Sequence, residues 1–192
     1  MDIILTALIY NDNTIGAKGE RPDFVGQHAS YISDLRHRFV LIGRKTFEAM
    51  GKPKLGTRTF VFSRNHEYQS EGVTTILDLA AFIKIAAEAG ESEVVVFGGA
   101  QTFHATMPWA DKLCITWVHR NREGEMKFPQ FPPHFHCPAW DTQEYDVDGV
   151  LLESMTYYRW NDVPFPSETL EDQAMLVAKD YARRLTGKRP LI

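Results

Sequence analysis

The run Val94-Val95-Val96-Phe97, apolar at every position and stopped by Gly98-Gly99, constrains this chain more than any other segment. A strand with one wet face alternates apolar and polar residues. A strand apolar throughout has to be covered on both faces, as in a parallel sheet held between helices. Two more runs repeat the theme: Ile3 to Tyr10, closed by the turn signal Asn11-Asp12-Asn13, and Phe39 to Ile42, which passes through Gly43-Arg44-Lys45-Thr46 into a short helix ending at Met50. Thr59 to Phe62 and Thr74 to Ile76 add shorter strands. Between the strands the period becomes helical. Tyr31, Ile32 and Leu35 share one face of His28 to Arg38, and Leu79, Phe82, Ile83 and Ala86 share one face of Leu77 to Ala89, which Gly90 stops. Alternating strands and helices predict an α/β fold with right-handed crossovers. Leu113 to Val118 and Leu151 to Trp160 lack a long helix between them, so the central sheet is expected to be mostly parallel with an antiparallel C-terminal end, flanked by helices.

Composition narrows the partners. With 192 residues, 44% of them apolar, the chain can bury a full hydrophobic core, and its length suits one domain better than two. A net charge of −4 leaves no global footprint for nucleic acid or an anionic membrane, so any anion site must be local. Cys114 and Cys137 are too few for a disulfide framework, and the N-terminus lacks a basic region followed by a long apolar one. The expectation is a cytoplasmic monomer or homodimer acting on a small molecule. His134, His136 and Cys137 cluster in a proline-rich stretch but lack zinc-ligand spacing, so no metal is expected.

In an open α/β sheet, ligands sit beyond the carboxyl ends of the strands, where helix starts offer free N–H groups. Gly43-Arg44-Lys45-Thr46 and Gly98-Gly99-Ala100-Gln101-Thr102 both join a strand to a helix. Each alone also suits plain turn chemistry; together they point to a dinucleotide. Ser63-Arg64, at another strand end, offers a hydroxyl and a guanidinium for an extra phosphate such as the 2′-phosphate of NADPH.

The ordered series Ala7, Asn13-Thr14-Ile15-Gly16, Pro22, Ile42 through Glu48, Ser63-Arg64, Val96-Phe97-Gly98-Gly99, Thr116 and Glu123 through Pro129 resembles the dihydrofolate reductases in content and spacing. That resemblance covers roughly residues 2 to 160 and implies NADPH as cofactor with a pterin or folate as substrate. It makes Ile15-Gly16 through Pro22 a mobile loop over the nicotinamide, latched with help from Glu125. Gly43, Arg44 and Thr46 would contact the phosphates of NADPH, Ser63 and Arg64 its adenosine side, and Gly98 and Gly99 its nicotinamide half, with Lys45, Ala100, Gln101 and Thr102 as further cofactor-binding positions. Ala7, Tyr31, Met50, Phe97 and Thr116 would line the pterin pocket, with Ala7 and Phe97 also beside the cofactor.

Two departures from the family pattern stand out. The family's buried acid, four residues before the aromatic matched by Tyr31, is Gln27 here, or His28 after a one-residue shift; the tryptophan that follows the loop proline is Asp23. Three readings follow: Asp23 supplies the carboxylate, which is preferred; Gln27 only hydrogen-bonds the pterin while water supplies the proton; or the substrate differs. The arginine that holds the folate tail follows a Pro-Gly in the family. The corresponding stretch reads Leu55-Gly56-Thr57-Arg58, so Arg58 substitutes only if the turn has slipped by a residue.

Residues 1 to 162 thus form the reductase-like domain and 163 to 192 an extension. In the extension Ser167 can cap a helix carrying Leu170, Ala174, Ala178, Tyr181 and Leu185 at helical spacing until Gly187. Such a helix can pack on its own domain, close a dimer or dock elsewhere. Reduction of 7,8-dihydrofolate leads the functional readings. A reductase of another pterin or of a riboflavin-pathway pyrimidine, and a non-catalytic binding module of the same fold, are the alternatives.

Overall fold

The structure, a computed structural model, describes residues 1–16, 35, 37–160 and 162–187. The predicted loop from Ala17 to Gln27 and most of the predicted helix from His28 to Arg38 lie outside the described residues. A large sheet dominates the remainder. Its strands are β1 (Asp2–Tyr10), β3 (Phe39–Gly43), β4 (Arg58–Phe62), β5 (Thr74–Ile76), β6 (Glu93–Gly98), β7 (Lys112–Val118), β9 (Phe135–His136), β10 (Thr142–Val147) and β11 (Val150–Arg159). They run in the order β10-β11-β7-β1-β6-β3-β4-β5, with β9 also paired to β11. From β7 to β5 every pairing is parallel, and those of β11 with β7, β10 and β9 are antiparallel. This is the expected mostly parallel sheet with an antiparallel end. A separate ribbon joins β2 (Thr14–Gly16) to β8 (Met126–Lys127).

Both faces of the sheet are covered, which accounts for the uniform apolarity of β6. Val94 and Val96 point into a core that includes Leu5, Phe60, Phe82 and Ile83. Val95 and Phe97 point into a second core with Ile42, Phe47, Met50 and Leu55. Helix α1 (Arg44–Ala49) contributes Phe47 to the second core. Helix α2 (Leu79–Glu88) serves the first; Asp78 caps it by accepting from the Ala81 N–H at 2.8 Å. Helix α3 (Ala100–Thr106) follows β6 and buries Phe103.

Helix α4 (Leu170–Thr186) packs against α2 through Met175, Ala178 and Ala182, and the two alanines let the helices approach closely. Its cap is Thr169 rather than Ser167. The Thr169 side chain accepts from the Asp172 N–H at 3.0 Å while Asp172 accepts from the Thr169 N–H at 2.9 Å, a reciprocal pair that fixes the start. Phe165 stacks on Trp109 at 5.7 Å and lies under the Arg159 and Lys179 cations at 4.3 and 4.2 Å. Lys179 also reaches Asp111 at 2.7 Å, and Asp111 accepts from the Ile3 N–H at 2.8 Å. No helix among the described residues is long and apolar enough to cross a membrane.

Candidate active site

Strand pairing opens a crevice at the carboxyl edge of the sheet. β1 is paired with β6 only from Asp2↔Glu93 to Leu5↔Val96, whereas its pairing with β7 continues to Tyr10↔Val118. On its other side β6 follows β3 with an irregularity: Leu41 faces Val96 but Ile42 faces Gly98, so Phe97 is the extra residue. Beyond Leu5, then, β1 leaves with β7 and β6 leaves with β3. Ala7 stands on one side of the opening, Phe97 and Gly98 on the other. This is the switch point where strand order reverses, the place where α/β sheets bind ligands.

The two glycine turns interlock at the β6–β3 side. Gly43 and Gly99 are the cap residues of α1 and α3, and neither cap has a side-chain hydrogen bond to its helix. A Cβ at Gly43 would stand 2.4 Å from Thr102 Oγ1, and one at Gly99 would stand 2.6 Å from Thr46 Oγ1. Each glycine is thus seated against the hydroxyl of the other's helix. Gly98, at φ 105°, takes a backbone form that side chains disfavour, and a Cβ there would meet the Phe103 ring at 2.8 Å. The result gathers the first-turn N–H groups of α1 and α3 with the Thr46 and Thr102 hydroxyls in one small cradle, chemistry suited to phosphate and carboxamide oxygens. Ala100 is half-buried beside it and Gln101 is exposed.

The cations leave the same edge next door. Gly43 is paired with Phe62, so Arg44-Lys45 and Ser63-Arg64 emerge side by side from β3 and β4. Arg44 donates to both Glu48 oxygens at 3.0 and 3.2 Å and lies over the Tyr68 ring at 5.6 Å. Lys45 and Arg64 are exposed. Ser63 is buried; its Oγ accepts from the Asn65 N–H at 3.0 Å and so shapes the turn that presents Arg64.

On the substrate side, Met50, Leu35, Leu55 and Phe97 share the second core and supply an apolar wall. Thr116 is half-buried, with its hydroxyl 3.1 Å from Ser154 Oγ, its cross-strand partner. Thr6, Cys114, Thr116, Asp141, Tyr145 and Ser154 help line a cleft of about 200 Å³ on this part of the sheet. The sequence reading missed Thr6, Ser154 and Asp141, because their meeting with Thr116 is set by strand pairing and carries no local signal. Asp141 accepts from the Tyr158 hydroxyl at 2.6 Å, and that bond, with burial, pushes the phenol up to about 12. Asp23, Gln27, His28 and Tyr31 lie outside the described residues.

Arg58 corrects one expectation. Gly56, at φ 64°, is wedged so tightly that a Cβ would meet Arg38 O at 2.2 Å, which pins the turn at Gly56. Thr57 stands directly after that turn. One residue further, Arg58 lies over the rings of Phe39 and Phe60 at 5.8 and 4.9 Å and donates to Thr74 Oγ1 at 3.2 Å. Phe39 and Phe60 belong to the first core, so Arg58 is on the face opposite Met50 and Leu55. Side chains alternate along a strand, and a single step in register moves a group to the wrong side.

His134 and His136 make no metal cluster among the described residues. His134 Nε2 lies 3.1 Å from Arg159 Nη1, and burial with that cation pushes its pKa down, while His136 stacks on Trp160 at 4.0 Å.

The base of the predicted mobile loop is the β2–β8 ribbon. Gly124 lies so close that a Cβ would meet Gly16 O at 2.7 Å, and Ile15 packs against the first core. Asn13 Nδ2 donates to Phe128 O at 2.8 Å, and Asp12 accepts from Thr14 Oγ1 at 2.6 Å and from Lys127 Nζ at 2.9 Å. The Thr14 hydroxyl first, then Lys127, hold the Asp12 carboxyl at about 2 against an ordinary 3.8. A lowered pKa favours the charged form in the fold, so its stabilisation is complete above 3.8 and disappears as pH falls through 2. Urea titrations of the wild type and Asp12→Asn are expected to differ by a constant amount near neutral pH and to converge in that acid window. A gap unchanged by acid rejects the assignment.

The family model described as dihydrofolate reductase matches residues 2–159. Among curated relatives, dihydrofolate reductase type 3 of Salmonella typhimurium is 32% identical over 138 residues, 68% of this chain and 80% of that one. Dihydrofolate reductase of Neisseria meningitidis serogroup A is 41% identical over 131 residues, 67% of this chain and 80% of that one. The solved dihydrofolate reductase from Enterococcus faecalis, complexed with NADP(H) and RAB-propyl, matches with a TM-score of 0.72 at 28% identity, covering 84% of this chain and 97% of its own. A sheet that splits between β1 and β6, glycine cradles at the split and a sequence match across nearly the whole sheet agree, and the chain belongs to the dihydrofolate reductase family.

Proposed function

We propose that the chain reduces 7,8-dihydrofolate to 5,6,7,8-tetrahydrofolate in the cytoplasm, in the crevice between β1 and β6. As a member of its family it is an NADPH-dependent oxidoreductase. The observation that carries the proposal is the interlock of Gly43 with Thr102 and Gly99 with Thr46, which leaves no room for side chains where a dinucleotide's oxygens must approach. These residues fit NADPH, which supplies the hydride when bound. Gly43, Thr46, Gly98, Gly99 and Thr102 cradle it near the split, and Arg44, Lys45, Ser63 and Arg64 receive its adenosine phosphates. The apolar wall of Met50, Leu55 and Phe97 orients the pterin ring and keeps water from it. The backbone edge of β1 at Ala7 faces the opening where ring and nicotinamide meet. Asp23 is the proposed source of the proton that the substrate's imine nitrogen needs. Cytoplasmic residence is supported by a cysteine content of two, too low for the disulfide framework of a small secreted protein.

Spectrophotometric NADPH oxidation with dihydrofolate tests this reading, and no turnover at any pH overturns it. The placement of Thr57 and Arg58 sets a further expectation within the same assay. Arg58→Ala is expected to leave KM for dihydrofolate within about twofold, since a surface change away from the cleft costs little. Thr57→Arg restores a cation directly after the Gly56 turn and is expected to lower KM by about tenfold, the worth of one charged hydrogen bond. A large rise in KM in Arg58→Ala means that Arg58 does meet the substrate tail.

A further inference from the structure

Of the cations that leave the sheet edge beside the glycine cradle, Lys45 and Arg64 are exposed, whereas Arg44 is held. Arg44 opens α1, with the cradle between β3 and β6 on one side and the turn after β4 on the other. Its guanidinium lies 5.6 Å from the centre of the Tyr68 ring, in the segment that joins β4 to β5. The cation therefore leans to the β4 side, where Arg64 emerges, and away from the first-turn N–H groups of the cradle.

Tyr68 is a fixed platform. Its N–H donates to Asn65 O at 3.2 Å and its carbonyl accepts from Thr75 Oγ1 at 2.8 Å, which ties it both to the turn that presents Arg64 and to β5. Asn65 Oδ1 accepts from the Glu67 N–H at 3.0 Å, and the Tyr68 ring packs against the second core. Glu48 does less to fix Arg44. It takes Nη1 in an (i, i+4) pair at the surface, a kind worth little in water, and its carboxylate opposes an incoming phosphate. The ring face attracts the cation without neutralising it and leaves the planar edge of the guanidinium open to phosphate oxygens. An arginine already ordered in the free protein also loses less freedom when it binds. The cradle suits the pyrophosphate; a phosphate met on the β4 side is the 2′-phosphate, the one group by which NADPH differs from NADH. We infer that Tyr68 is a positioning residue for cofactor choice, holding Arg44 beside Arg64 so that both meet the 2′-phosphate, a role that rests on the proposed placement of Arg44 at the cofactor's adenosine phosphates.

Fluorescence titrations of the full chain with NADPH and with NADH test this role. Tyr68→Leu is expected to weaken NADPH binding by about fivefold, the worth of one cation–ring contact, and to leave NADH within about twofold. Tyr68→Phe keeps the ring face and is expected to bind both as the wild type does. Arg44→Met is expected to weaken NADPH binding by at least about tenfold, and Tyr68→Leu added to it to weaken it no further, because the ring acts through Arg44. Equal losses for NADPH and NADH in Tyr68→Leu, or a loss that persists in the Arg44→Met background, reduce the ring to general packing and overturn the inference. So does a Tyr68→Leu protein with wild-type affinity for NADPH, in which Glu48 holds Arg44 unaided. NADPH binding unaffected by Arg44→Met is a different failure: it removes Arg44 from the cofactor site, and the inference falls with that placement. Should Tyr68→Leu not fold, as a lost melting transition would show, Arg44→Lys carries the test, since an ammonium keeps the charge but not the flat face that stacks. It is expected to bind NADPH about fivefold more weakly with NADH unchanged, and wild-type affinity for NADPH overturns the inference.

Discussion

Replacing Gly43 by alanine is expected to weaken NADPH binding by about 100-fold, because the new methyl would stand 2.4 Å from Thr102 Oγ1 and must push α3 out of register with α1. Overpacking at such a site costs about 1 to 3 kcal/mol of stability as well. The two effects can be separated. In Gly43→Ala/Thr102→Ala the obstructing oxygen is gone and the next contact is Gly98 O at 3.3 Å, so fluorescence titration should show most of the lost affinity recovered. A Gly43→Ala protein that binds NADPH normally removes the interlock from any part in the site, and the proposed function loses its main support.

Asp23→Asn is expected to reduce kcat with dihydrofolate by about 10²- to 10⁴-fold, the usual loss when a positioned acid is removed, while the Kd for NADPH stays nearly constant. The dinucleotide cradle is built from β3, β6, α1 and α3, none of which includes Asp23. The reduction should be strongest at neutral pH and relax in acid, where solvent supplies the proton. If the variant keeps its turnover, Gln27 with a bound water becomes the preferred arrangement, and a Gln27→Ala variant takes over the role of discriminating test.

Some parts of this molecule are readable from residues alone and others are not, for reasons that are physical. β6 declares itself because both its faces are buried, so no polar residue interrupts Val94 to Phe97. α2 does so because Leu79, Phe82, Ile83 and Ala86 face a single core. β10 is silent: it is an edge strand in which Val147 alone is buried, so Thr142 to Asp146 carry no alternation. β2 and β8 are two or three residues long, with Ile15 their one apolar contact to the first core, and are held largely by Asn13, Asp12 and Lys127, too short a span to show a period. At the site, the glycine and cation motifs are local and legible. Their consequence, that Gly43 rests on Thr102 and Gly99 on Thr46, joins positions far apart in the chain and needs the fold. Arg58 failed for a related reason, since a composition match one residue out of step lands on the wrong face of its strand.

The extension holds the sheet at the end away from the crevice. Lys179 reaches Asp111, Asp111 holds the Ile3 N–H, and Phe165 covers Trp109, all near the amino ends of β1 and β7. Cofactor and substrate pull on the carboxyl ends of those same strands. Separated sites without shared partners contribute free energies that simply add. Whatever tightens or loosens the C-terminal clasp therefore sets how robust the protein is to heat, independently of how well it is loaded, so catalysis and endurance can drift apart under selection.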